Sequence, residues 1–99
     1  MTVHVLKCDE GYFEDVRQGA KEFEVRADDR DPPFTGGDVV ALVHTDPGPS
    51  YGAVLIRRIG YLARGERIPP GFCVFALRPM EAGDTVRGEM AMGKTAVSK

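Results

Sequence analysis

The sequence predicts an α+β domain that is mainly β: about five strands and one early helix, closing into a small antiparallel or mixed β-barrel with the helix plugging one end. Three observations predict it. The chain of 99 residues has room for one domain, since single domains centre on roughly 100–150 residues. Segments rich in β-branched and aromatic residues alternate with Gly, Pro and Asp turn chemistry, and one early segment alone shows helical spacing. The connections are too short for repeated βαβ crossovers, so an open sandwich is the competing layout.

Thr2 to Lys7 reads as a first strand, with Val3 and Val5 on one face and His4 and Leu6 on the other. From Asp9 the pattern turns helical. Tyr12, Phe13, Val16 and Ala20 recur at helical spacing, Asp9 is a plausible N-cap and Gly19 stands where a helix stops, giving a helix over about residues 10–18. A second strand follows, in which Phe23, Val25 and Ala27 alternate with Glu22, Glu24 and Arg26, the period-2 pattern of a half-buried strand. Asp28 to Gly37 is a loop with Phe34 as its one large apolar anchor. Asp38 to His44 is apolar on both faces and should run through the core as the third strand. Asp46-Pro47-Gly48-Pro49-Ser50 is turn chemistry between this strand and a long fourth one, Tyr51 to Leu62. A polar loop over 64–71 leads to a fifth, buried strand, Phe72 to Leu77. The domain is expected to occupy residues 1–78, and 79–99 to be a tail, at least partly disordered, with its last ten residues poorly ordered.

Thirteen basic and 15 acidic residues give a formal charge of −2, which excludes coating of nucleic acid by bulk charge alone. Distribution says more. The N-terminal third is acidic, whereas the second half holds Arg57, Arg58, Arg64, Arg67 and Arg78, which could form a phosphate-facing patch or a scattered solvated surface. No apolar run is long enough to span a membrane and the first twenty residues carry acids, so a cytoplasmic protein without membrane association is expected. Cys8 and Cys73 are expected to stay as reduced thiols. Close metal-ligand spacing is missing among His4, Cys8, His44 and Cys73, so no metal is expected.

Gly88 to Thr95 spells the phosphate-loop pattern G-x-x-x-x-G-K-[ST], yet only four residues follow Thr95. That loop works through the N-terminus of a following helix, for which no room remains, so it is read as non-functional. No dinucleotide fingerprint or nucleophile elbow occurs either, so neither a cofactor nor covalent catalysis is expected. The informative stretch is Gly19 to Arg26, entered from a helix and leaving along a strand. Glu24 and Arg26 are two apart on one strand, hence on one face and roughly 6.5–7 Å apart. Arg26 can fork onto a phosphate or a base edge, Glu24 can accept from an exocyclic amine, and Lys21 adds a positive point charge. The plainer alternative is a solvated face with a same-face salt bridge. His4 and Lys7 on the first strand, and Asp28-Asp29-Arg30-Asp31 opening the loop, are further polar groups.

His4-x-Leu6-Lys7, Tyr12-Phe13, Val16, Gly19-x-Lys21, Phe23-Glu24-x-Arg26, Asp29-Arg30 and Gly37-Asp38 together resemble the ASCH domain family, and more narrowly a subfamily of small bacterial and phage proteins catalogued as a domain of unknown function. The resemblance covers residues 4–38 well, continues weakly to Phe72-Cys73-Val74 and leaves the tail outside. It implies a PUA-like β-barrel with a cleft between helix and barrel that takes RNA or a nucleotide-like ligand. Lys21, Glu24 and Arg26 match the cleft-lining positions, and His4, Lys7 and Arg30 join them as candidate ligand-binding residues. The subfamily often has Asn where this chain has Asp28. Some small ASCH proteins hydrolyse N-acylated cytidine. On that alternative, an amidohydrolase, Lys21 and Glu24 would be catalytic, although Glu24 stands where that group is similar to a threonine-bearing pattern.

Overall fold

A computed structural model describes residues 1–80 and the backbone of residues 95–97. The elements run β1 (Val3–Cys8), α1 (Glu10–Arg17), β2 (Phe23–Ala27), β3 (Val39–His44), β4 (Val54–Arg64), β5 (Phe72–Arg78) and β6 (Thr95–Val97). All six strands belong to one mixed sheet in the order β2-β5-β4-β3-β1-β6. β1 pairs parallel to β3 and to β6, while the β2/β5, β3/β4 and β4/β5 ladders are antiparallel.

The sheet curls. β2 and β1 are separated by three strands in the sheet order, yet the Arg26 guanidinium on β2 donates to the Lys7 carbonyl on β1 at 3.1 Å. No β1–β2 ladder forms among the described residues, so the result is a curled half-barrel with a seam rather than a closed barrel. Its concave side holds Leu6, Val40, Leu42, Ile59 and Phe75, and α1 seats Phe13 and Val16 against them. β3 is buried almost throughout, as its two apolar faces require. Phe34 anchors the loop before β3, buried 4.9 Å from Phe75 and 4.7 Å from the His4 ring.

The period of β2 is as the sequence predicts, but its facing is reversed. Phe23 and Val25 are each 50% exposed, whereas Glu24 is 2% exposed. β2 is an edge strand, so its apolar side lies on the open outer surface, and its polar side turns into the seam where cationic partners await. The arginines of the second half do not form one patch. Arg57 and Arg58 are consecutive on β4 and so project from opposite faces. Arg58 lies opposite Arg78 on β5, and Arg64 grips the Asp28 carboxylate at 2.6 Å. The apparent phosphate loop, apart from the backbone of Thr95, and most of the tail expected to be disordered lie outside the described residues.

Candidate functional site

α1 sets the site up from its two ends. The Asp9 side chain accepts from the Tyr12 backbone N–H at 2.9 Å, capping the N-terminus and fixing the first turn. At the other end Gly19 takes a positive φ of 81°, and its N–H and that of Lys21 bond the carbonyls of Val16 and Asp15. These bonds satisfy orphan carbonyls and tie Lys21 to the helix end immediately before β2 begins.

Between α1, the end of β1 and β2 lies a cleft of about 450 Å³. Its centre is the Glu24 carboxylate. Lys21 Nζ donates to Oε2 at 2.8 Å, and Arg26 reaches Oε1 through Nη2 at 2.9 Å and Nε at 3.3 Å. Lys7, Lys21 and Arg26 face Asp9 and Glu24 around the cleft, an excess of one positive charge, and Lys21 and Arg26 keep part of their side chains in solvent. Such pairing is what lets a carboxylate be buried at all, because an uncompensated buried charge is costly. Lys21 Nζ also sits 4.1 Å above the Tyr12 ring, with Phe23 5.9 Å away. Tyr12 is 56% exposed, so the cleft has aromatic surface beside its cations. Cys8 lines the cleft as well. Burial, with the Glu24 charge second, pushes its thiol up to about 11. A thiol so placed is a packing group and not a nucleophile at neutral pH.

The structure therefore brings Lys7, Lys21, Glu24 and Arg26 together at one cleft and sets His4 and Arg30 apart from it. His4 is 0% exposed. Its Nε2 bonds Asp38 Oδ2 at 2.9 Å, and Arg30 Nη1 donates to its Nδ1 at 3.0 Å. Because a guanidinium can only donate, Nδ1 must accept, and the ring is the neutral Nε2–H tautomer donating to Asp38. Burial outweighs the Asp38 carboxylate and holds the His4 pKa below its ordinary value. Asp38 also accepts from the backbone N–H groups of Thr2 and Thr35, so the node ties the start of β1 to the loop before β3. Arg30 stacks over Phe34 at 4.9 Å, a second restraint on the same loop. Asp28 is also structural here, since it holds Arg64.

Sequence reasoning missed the aromatic wall. Tyr12 reads as part of the apolar helix face, yet it is adjacent to Phe13, and consecutive helical residues point about 100° apart. Only Phe13 reaches the core. Asp38 was within reach of prediction as a motif member, but nothing local pairs it with a histidine 34 positions away. Among the described residues no group of three or more His, Cys, Asp or Glu is placed to hold a metal. Among the described residues no helix is long and apolar enough to cross a membrane, and both cysteines are free.

Fold and site thus define a small mainly-β domain with a cationic, aromatic-edged cleft at the seam of a curled sheet. The chain belongs to the family described as Domain of unknown function (DUF3850), whose sequence profile matches residues 3–77. No curated protein matches the sequence.

Proposed function

We propose that this chain is an RNA- or nucleotide-binding module of the ASCH kind, with a PUA-like half-barrel, and that the seam cleft takes the ligand. One observation carries the reading: two cations are held by one buried carboxylate, next to exposed aromatic rings. Glu24 holds Lys21 and Arg26 in place before any ligand arrives, which lowers the ordering cost of binding. The surplus positive charge suits a phosphate and the ring of Tyr12 or Phe23 suits a base, the two contacts from which single-strand recognition is built. A cytoplasmic location with reduced thiols goes with this reading. Lys7, at the cleft edge, is the remaining cation available to a phosphate.

The test is titration of a fluorescent single-stranded RNA and of uridine monophosphate into wild type and Lys21→Ala. Binding by wild type that weakens about tenfold or more in Lys21→Ala is expected, in line with the loss of one charge-assisted contact. Equal affinity of the two proteins would remove the cleft from the reading. The same proteins incubated with N-acylated cytidine should release no cytidine. Release that depends on Lys21 and Glu24 would instead assign amidohydrolysis, in which Lys21 would have to surrender its ion pair to act as base or nucleophile.

A further inference from the structure

A second, smaller cavity of about 250 Å³ is lined among others by Arg17, Lys21, Glu22 and Arg57. Lys21 is a wall of both cavities. Arg57 comes from β4, and its described hydrogen bonds go to carbonyl oxygens only: Nη1 to Ile56 at 2.9 Å and Nη2 to Val16 at 3.5 Å. Arg17, on the last turn of α1, is held by Glu14 at 2.6 Å, which positions its guanidinium but offsets its charge, so Arg57 is the stronger of the two arginines here. Against these cations stands Glu22. The carbonyl end of α1 would oppose an anion here, and Arg57 counters it by donating toward one of those carbonyls.

We infer that the two cavities form one track over Lys21, and that the ligand is a single-stranded RNA segment with at least two phosphates rather than a mononucleotide. On this inference, which rests on the proposed binding function, one phosphate and its base occupy the seam cleft against Arg26 and Tyr12. The next phosphate passes Lys21 to Arg57 and Arg17. A mononucleotide fills only the first cavity and gains nothing from the second. Chain length then raises affinity where the second phosphate first meets Arg57, and not gradually with total charge.

The experiment compares uridine monophosphate with a uridine tetranucleotide, by anisotropy competition at fixed ionic strength, for wild type, Arg57→Gln and Arg17→Gln. A DNA tetranucleotide serves as a further arm, and circular dichroism melts check each variant's fold. The expected result is a tetranucleotide bound about tenfold tighter than the mononucleotide by wild type, with that ratio falling toward one in Arg57→Gln and by a smaller factor in Arg17→Gln. An equal gain with the DNA tetramer supports the two-phosphate track and overturns its assignment to RNA, leaving phosphodiester recognition. A gain confined to RNA supports it and adds a contact to the 2′-hydroxyl. Mononucleotide binding without a gain in wild type, or with a ratio that both folded variants retain, overturns the track and leaves the cleft as a mononucleotide site. Failure of wild type to bind either probe overturns the binding function itself, and the track with it.

Discussion

Glu24 is the residue on which the cleft depends, because its carboxylate is the shared acceptor of both Lys21 and Arg26. Removing the carboxylate leaves two cations facing each other. Breaking a buried ion pair costs about 3–5 kcal/mol, and partial solvent access of Lys21 and Arg26 reduces that here to about 2–3 kcal/mol. Glu24→Gln should lower stability by that amount in urea denaturation, and a loss under about 0.5 kcal/mol would show that solvent alone can satisfy the cations. His4 makes a second prediction, in which the sign is fixed by its lowered pKa. The unfolded chain takes up a proton near pH 6.5 while the folded chain resists it. Stability is therefore full above about pH 6.5 and falls as pH drops below it, by at most about 1.4 kcal/mol per pH unit for this one group. The protonated ring would also turn its Nδ1 into a donor facing the Arg30 donor. Urea midpoints at pH 7.5 and 5.5 should fall further for wild type than for His4→Gln, and parallel behaviour of the two would assign the acid sensitivity elsewhere.

Among the elements, α1 spans only eight residues, too short to be stable by propensity, so its cap and its two core contacts decide whether it forms. Asp9→Ala removes the bond to the Tyr12 N–H and should cost about 1 kcal/mol. Asp9 also lines the cleft, so the same variant loosens the turn that carries Tyr12 beneath Lys21 while removing a negative charge from the site; the stability loss is therefore the prediction, and thermal melts of wild type and variant check it. The elements whose place in the fold is legible in the sequence are those with one physical solution. β3 is apolar on both faces and can only be interior, and Asp9 with Gly19 brackets a helix. β2 is different, because period-2 alternation separates two faces without saying which one looks inward. Position in the sheet decides that, and an edge strand beside cationic partners places Glu24 inside and Phe23 and Val25 outside. The Lys21, Glu24 and Arg26 constellation is legible because its spacing is local, at three and two residues. The His4, Arg30 and Asp38 node is not, since its bonds span 26 and 34 residues. β6 escapes for a third reason: three residues carry too little pattern to be read as a strand.

At the scale of the whole molecule, a formal charge of −2 and a cationic cleft pull a polyanion in opposite directions. The split of the arginines between two faces of β4, with Arg64 neutralised by Asp28, leaves no broad basic surface among the described residues to hold a polyanion away from the cleft. On the proposed function, binding should therefore be salt-dependent but shallow in its dependence. Two to three phosphates contacted along a single strand give a slope of about −1.4 to −2 in log K against log salt. Raising salt from 50 to 200 mM should then weaken a uridine tetranucleotide by about 7- to 16-fold, against the 10³- to 10⁵-fold of proteins that make many phosphate contacts. Replacing Arg26 by Gln removes one phosphate partner and should lower the slope by about 0.7, while weakening all sequences alike. Anisotropy titrations at four salt concentrations measure both quantities. A slope near zero would mean that the cleft holds its ligand without phosphate contacts, and a slope steeper than about −4 would mean that cations well beyond the cleft take part. Either result would separate the ligand from the geometry of Lys21, Glu24 and Arg26.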